Sequence, residues 1–262
     1  MIADILKNRG TRLFIILSGI FITNALLAEV IGVKIFSLED SLSIPRAQIK
    51  LFGNLFSFHL TAGVLLWPVV FVMTDIINEY YGPKGVKFLS YLTIALISFA
   101  FVVFTLAIYL KPSEYFSLGN GIENPNAAFR GIFGQGMWII IGSIVAFFIG
   151  QLIDVYVFHR IKRNTGEKNI WLRATGSTLI SQLIDSFVVL FIAFYAGRRI
   201  SADQGEPWSI EQVLTTGSGN YLYKFIIAIL LTPVIYLIHS CIEKYLGKDK
   251  AMAMKKEAMG LT

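Results

Sequence analysis

Long runs of apolar residues, broken by short polar stretches, alternate along the chain. A run of about 20 apolar residues is long enough to cross a bilayer as a helix, and a helix satisfies its own backbone hydrogen bonds in lipid. The pattern predicts six spans, whose ends are placed to within about 2–4 residues. They are residues 12–33, 60–78, 88–110, 136–159, 173–197 and 221–242. We expect an all-α integral membrane protein, with residues 1–262 in a single polytopic domain.

The charged residues orient these spans. Only 15% of the residues are charged, against roughly 25% in a soluble domain. The connections on one side carry about 15 Lys and Arg and those on the other side, with Lys224, about 8, and the richer side is cytoplasmic. Both termini and the basic cluster at 160–163 then lie in the cytoplasm. The same rule accounts for the net charge of +6, so we expect membrane lipid, and no nucleic acid, as a partner.

The reactive residue types exclude several functions. Cys241 is the only cysteine, so neither an intrachain disulfide nor a thiolate metal site of the usual kind can form. The three histidines, His59, His159 and His239, each fall at the end of a span and lack the spacing of a metal site. Motifs for hydrolysis and the Walker lysine motif are missing. We therefore expect no metal, no cofactor and no enzyme activity, ATP hydrolysis included.

Three carboxylates interrupt the apolar spans: Asp75, Asp154 and Asp185. A carboxylate in hydrocarbon costs several kcal/mol unless it is paired, hydrated or functional, so each one predicts a functional site. Amide or acidic side chains follow or precede each of them at helical spacing, and residues three or four apart share a helix face. Together with a mid-membrane asparagine they form our candidate substrate-binding set. The set is Asp75, Asn78, Glu79, Gln151, Asp154, Gln182, Asp185 and Asn24.

Gln182 and Asp185 are the sharpest pair in this set. They lie about 14–18 Å into the fifth predicted span, counted from its start at Arg173. That depth is near the bilayer midplane, where many transporters bind substrate. The alternative is a structural hydrogen bond between two helices.

The other acids have alternatives of their own. Asp75 and Glu79 would both fit a polar helix end that leaves the membrane. Asp154 would fit a salt bridge at a helix end, with Arg160 or Lys162 as its partner. These alternatives leave open which carboxylates bind substrate and which are structural.

Two stripes of small residues predict close helix packing in lipid. They are Gly142, Ala146 and Gly150 in the fourth span, and Ala174, Ser177, Thr178 and Ser181 in the fifth. We favour packing within the chain over a homodimer interface, and the oligomeric state stays open.

Three stretches of the chain resemble the vitamin-uptake-type queuosine precursor transporter family of bacteria. They are residues 60–63, 67–68 and 74–82; residues 150–158; and residues 171–173, 177–178 and 181–186. Trp67 departs from the pattern, since a Phe is expected before Pro68. The resemblance implies a multi-pass importer of the bacterial cytoplasmic (inner) membrane, which serves queuosine salvage. Its implied substrates are 7-cyano-7-deazaguanine, 7-aminomethyl-7-deazaguanine or queuine.

The polar set suits such a nucleobase-like substrate. A guanine-like edge offers two adjacent N–H donors, which a carboxylate accepts as a bidentate pair, and Asp185 or Asp75 is our candidate for that contact. Amide side chains donate and accept along the same edge, and the candidates are Gln182, Gln151 and Asn78. A counter-ion for an aminomethyl cation, or a proton carrier, would be Asp154 or Glu79.

Other functions stay open at this point. A membrane-embedded binding subunit that works with a separate ATPase module, for a vitamin-like ligand, would have the same six spans. A membrane enzyme would need a reactive constellation that the sequence lacks, and a channel would conduct without saturable uptake. Proton coupling and facilitated diffusion are both compatible with the sequence.

Overall fold

The structure, a computed structural model, is 84% helical, which confirms the all-α class. It describes residues 7–32, 34–45, 49–51, 54–56, 59–119, 121–134, 136–166, 169–200 and 206–259. The helices are α1 (Arg9–Ile31), α2 (Leu38–Leu42), α3 (Trp67–Tyr109), α4 (Pro125–Phe133), α5 (Met137–Thr165), α6 (Ile170–Leu190), α7 (Gly197–Ile200), α8 (Ile210–Leu230), α9 (Thr232–Leu246) and α10 (Lys248–Ala258). A 3₁₀ turn (Ala62–Leu65) precedes α3, and a π-helical turn (Phe191–Ala196) joins α6 to α7.

Four short strands lie between α1 and α3. They are β1 (Ile35–Ser37), β2 (Ile49–Leu51), β3 (Asn54–Phe56) and β4 (His59–Thr61). β1 pairs antiparallel with β4, and β2 with β3. The predicted second span therefore starts as a strand and a 3₁₀ turn, and becomes α-helical only at Trp67.

Within the described residues, four helical segments are long and apolar enough to cross a membrane. They are Arg9–Ile31, Trp67–Tyr109, Pro125–Thr165 and Ile170–Ile200. Helices α8 and α9 make a fifth if they count as one span, bent by 45°. The membrane class agrees with the sequence analysis, but the count differs from six. The difference arises because two predicted spans, 60–78 and 88–110, fall on the single 43-residue segment α3.

Segment α3 is broken at Gly82. Its φ of 67° and ψ of −172° are not helical, and Pro83 follows it. A positive φ favours glycine because a Cβ would be strained there. The break is also covered, since a Cβ at Gly82 would lie 2.9 Å from the carbonyl oxygen of Ala258 in α10. Gly82 therefore combines a sharp turn with a close helix approach.

The contacts on either side of Gly82 run in opposite directions along α5. Before the break, later residues of α3 contact later residues of α5: Trp67 contacts Phe147, and Asn78 contacts Asp154. After the break the order is reversed, and later residues of α3 contact earlier residues of the α5 region. Tyr91 contacts Phe148, and Phe104 contacts Phe133, which lies just before α5. Segment α3 is therefore a helical hairpin, with the chain reversing at Gly82.

The two stripes of small residues pack inside the chain. A Cβ at Gly142 would lie 3.0 Å from the carbonyl oxygen of Val189, and one at Gly150 would lie 3.7 Å from the Cβ of Asp185. Ala146 and Ala174 are each 1% exposed. Helices α5 and α6 thus approach closely along these stripes, as expected for small residues in lipid, and this brings their polar residues together.

Candidate functional site

A polar cavity lies between α3, α5 and α6. Aromatic rings form part of its wall, and the polar part contains four of the predicted residues. Those four are Gln151, Asp154, Gln182 and Asp185. The walls leave about 320 Å³ of empty space, of which about 10 Å³ is open to the centre of a water molecule. Small-ligand sites occupy ~300–1,000 Å³, whereas the space open here is about that of one water molecule, so the cavity must widen before a ligand enters.

Asp154 lies inside the bundle at this cavity. It is 5% exposed, and its carboxylate accepts from Asn78 Nδ2 at 3.3 Å. Ser181 Oγ lies 3.5 Å from the same carboxylate and shares its one proton between it and Thr178 O at 3.1 Å. These bonds join α3, α5 and α6 at one point. Asp154 thus occupies a polar junction of three helices, and the predicted helix-end geometry with a basic partner is replaced by this network.

Asp185 is paired with Lys224. Lys224 Nζ lies 2.5 Å from Asp185 Oδ2, and the two side chains are only 11% and 15% exposed. Lys224 belongs to α8, so a fourth helix reaches the cavity through this contact. From the sequence, Lys224 is one of the basic residues on the less basic side of the membrane, and no role in the site is predicted for it. The available signal was a lone cation within apolar sequence, which is as costly in lipid as a lone carboxylate.

Glu79 is held by two cations on the neighbouring helices. Arg173 donates through Nε to Oε2 at 3.0 Å and through Nη2 to Oε1 at 2.8 Å. Lys162 Nζ lies 3.1 Å from Oε2, and all three side chains are fully buried. A bidentate, charge-assisted pair of this kind is strong and directional. Both oxygens of Glu79 are therefore engaged away from the cavity.

The polar cavity is surrounded by acceptors that lack donors. Within the described part of the chain, Gln151 Oε1, Gln182 Oε1 and Asn78 Oδ1 are buried without a hydrogen-bond partner. Two of these amide orientations follow from their bonds. Asn78 Nδ2 donates to a carboxylate, and Gln151 Nε2 donates at 3.4 Å to Thr74 Oγ1, whose proton goes to Val70 O. Buried polar groups nearly always have partners, so each free oxygen calls for a donor, which water or a ligand can supply.

Asp75 and Asn24 lie apart from this cavity. Asp75 is 2% exposed and lines a separate, smaller cavity, on the side of α8 and α9. Asn24 donates to Ile20 O of its own helix at 2.8 Å, the local bond by which a polar side chain is satisfied within a helix. Of the eight predicted residues, four line the polar cavity: Gln151, Asp154, Gln182 and Asp185. Asn78 lies behind them and is joined to the cavity by its bond to Asp154.

Comparisons with known proteins agree on one family. The sequence model described as "Putative vitamin uptake transporter" matches residues 61–238, more than half of the 262 residues. A "Probable queuosine precursor transporter" of Bacillus subtilis is 29% identical over 185 residues, 70% of this chain and 73% of the relative. A protein of the same name from Haemophilus influenzae is 30% identical over 184 residues, 70% of each chain.

The match to a third relative covers a larger share of both chains. The "Queuosine precursor transporter" of Escherichia coli is 26% identical over 209 residues, 79% of this chain and 86% of the relative. No solved structure matches the chain. The bacterial relatives and the apolar helices indicate a multi-pass protein of the bacterial inner membrane. With two thirds of its length matched by one family model, the chain belongs to the vitamin uptake transporter family.

Proposed function

We propose that this transporter imports queuosine precursors, the 7-deazaguanine bases that carry a cyano or an aminomethyl group, or queuine. One observation carries the proposal: buried acceptors that lack donors, namely Gln151 Oε1 and Gln182 Oε1 of the cavity wall and Asn78 Oδ1 behind Asp154. A guanine-like edge supplies N–H donors in a plane. The names of the three bacterial relatives support the same substrate class.

The donors of such a base match the cavity by position and by charge. Asp185 is the accessible carboxylate, since 15% of its side chain is exposed, and it accepts the N1–H and amino group of the base. The amide oxygens of Gln151 and Gln182 accept from the remaining N–H groups. Trp67, Phe71 and Phe147 line the same cavity and provide flat apolar surface for the ring.

The six-span arrangement with both termini in the cytoplasm is part of this proposal. Counting the two halves of α3 separately, with α1, α5, α6 and the bent pair α8–α9, gives six spans. The reversal at Gly82 supports this count. An even number of spans returns the chain to its starting side, and the excess of Lys and Arg on that side assigns it to the cytoplasm.

Binding of modified bases to the purified protein tests the substrate. We expect 7-cyano-7-deazaguanine to bind at least about tenfold more tightly than its analogue without the exocyclic amine, because an acceptor left unpaired costs about 1–3 kcal/mol. Equal affinity for the two bases would contradict the proposal.

Uptake in cells tests the transport step. In a strain that cannot make the precursor, expression of this chain alone should restore queuosine to transfer RNA at low external precursor. Restoration that requires a co-expressed ATPase pair would instead support the binding-subunit alternative. A crosslinked pair of chains that imports while the monomer does not would establish a homodimer.

A further inference from the structure

The second cavity lies where α3 and α6 meet the break between α8 and α9. Asp75, Thr175, Thr178 and Leu231 are among its lining residues. It encloses about 200 Å³ of empty space, of which about 10 Å³ is open to the centre of a water molecule. One water needs about 10–15 Å³ by that measure, so the cavity has room for a single small occupant.

Among the described residues, no cation lines the cavity beside Asp75. Its carboxylate makes no ion pair there, and its Oδ1 is buried without a hydrogen-bond partner. Arg173 acts on Asp75 through space, but its guanidinium is bonded to Glu79. A buried carboxylate without a partner is expensive, so the geometry favours a positive occupant or a proton beside it.

Neutral oxygen ligands surround the same point. Thr178 and Thr175 line the cavity, and Thr175 Oγ1 lies 3.1 Å from Thr232 Oγ1, the first residue of α9. Pro233 follows Thr232 and has no backbone N–H, so the carbonyl four residues earlier loses its normal helical donor. The carboxyl end of α8 also carries the negative end of the helix dipole. In transporters, the carbonyl oxygens at a helix break and the carboxyl ends of half-helices coordinate Na⁺, and here hydroxyls and a carboxylate add further oxygen atoms.

We propose that this second cavity is a Na⁺ site, with Asp75 as its charged ligand and the hydroxyls of Thr175 and Thr178 as neutral ones. Thr232 lies behind Thr175 and holds its hydroxyl in place. A single carboxylate lines it, so a monovalent ion balances the charge and a divalent ion does not. Cysteine and histidine spacing predicts no metal in this chain, and an all-oxygen site of this kind has no such spacing.

The site is placed to couple ion binding to substrate binding. Phe71 and Thr178 line both the Na⁺ cavity and the polar cavity, so an ion that orders these side chains shapes one wall of the polar cavity. This coupling rests on the proposed function, whereas the ion site itself does not. A Na⁺ gradient would then drive the import of a neutral base.

Thermal unfolding of the purified full-length chain without substrate tests the ion site directly. At constant ionic strength, replacing choline chloride by NaCl should raise the unfolding midpoint saturably by about 2–4 °C. KCl should leave the midpoint unchanged. Asp75→Asn and Thr175→Val should each abolish the Na⁺ response. Thr93→Val is the matched control, because Thr93 is buried in α3 and bonds to Leu89 O of its own helix.

The outcomes separate the ion site from the substrate assignment. A midpoint that ignores Na⁺ in the unmodified protein, or that responds equally to K⁺, overturns the Na⁺ site. A midpoint that ignores Na⁺ but depends on pH through Asp75 makes the cavity a proton site, which also overturns it. If Na⁺ stabilises the protein but no 7-deazaguanine binds, the ion site stands and the proposed function fails. If the base binds with equal affinity in NaCl and choline chloride, the coupling fails.

Discussion

Lys224 of α8 and Asp185 of α6 form an ion pair of 2.5 Å at the polar cavity, within otherwise apolar helices. No oppositely charged residue lies within one helical turn of either residue in the sequence, so each one depends on the fold to supply its partner. The pair makes this end of the cavity electrically neutral. It also makes Asp185 a carboxylate whose second oxygen is available to a donor.

Lys224→Met should change which substrate the cavity prefers. Without Lys224 the carboxylate of Asp185 is uncompensated. A base that turns its aminomethyl ammonium towards Asp185, in place of its N1–H edge, can then replace the lysine. We expect the affinity for the aminomethyl form relative to the cyano form to rise about tenfold, since hydrogen bonds to charged groups contribute about 1.5–3 kcal/mol. Competition binding with the two bases measures the ratio. Lys224→Arg keeps the charge and should leave the ratio nearly unchanged; an unaltered ratio in Lys224→Met would contradict the pairing role.

Gln182→Leu should separate binding from stability. The Oε1 atom of Gln182 is buried without a partner, so its removal should leave the unfolding midpoint unchanged or slightly raised. Binding of 7-cyano-7-deazaguanine should weaken about tenfold or more, because the base loses an acceptor. Asn24→Leu is the control, because it also replaces a polar side chain in a membrane helix, but Asn24 bonds to its own helix and lies apart from the cavity. Binding that survives in Gln182→Leu would remove Gln182 from the site.

Glu79→Gln should act on stability. The change leaves Arg173 and Lys162 as buried cations without their carboxylate, and breaking a buried pair costs about 3–5 kcal/mol. We expect the thermal midpoint in detergent to fall by roughly 10 °C. Glu243→Gln is the matched control, because Glu243 pairs with Lys255 while 38% exposed, and its loss should cost about 1 kcal/mol or less. A stable Glu79→Gln protein with impaired transport would assign Glu79 a role at the substrate.

Cysteine labelling should locate the hairpin turn. Cys241→Ser removes the only cysteine, and Lys84→Cys then places one just after Gly82, at an exposed position. A membrane-impermeant maleimide should label it in inside-out vesicles and spare it in intact cells. Glu114→Cys, exposed beyond the end of α3, should give the opposite result. If both positions label from the same side, the two halves of α3 do not cross the membrane separately.

Local periodicity in the sequence predicted the helices and the two pairs of polar residues that line the polar cavity. Gln151 and Asp154 share a face, as do Gln182 and Asp185, and both faces line the polar cavity. Contacts between residues far apart in the sequence leave no periodic pattern from which they could be predicted. Lys224 meets Asp185 because α8 packs on α6, a tertiary relation that spacing along the chain does not encode. Asn24 was included because a polar side chain in mid-membrane needs a hydrogen-bond partner. Ile20 O of the same helix is that partner, so Asn24 needs no ligand.

The hairpin was partly visible in the sequence. Predicted spans ended at 78 and resumed at 88, and the turn lies between them at Gly82. The Gly82–Pro83 pair is a turn signal by itself. The bend of α8–α9 was missed because residues 221–242 form one apolar run, although Thr232–Pro233 lies at its centre.

The contact between Gly82 and Ala258 has a consequence for biogenesis. The turn of the α3 hairpin is covered by the last helix of the described chain, at a distance that leaves no room for a Cβ. A chain emerging from the ribosome inserts α3 long before α10 exists, so its turn is uncovered until α10 has been made. Cover of the turn by α10 therefore reports that the helices between them have been made as well. A prematurely terminated chain would display an unburied turn to the cell's quality-control proteases.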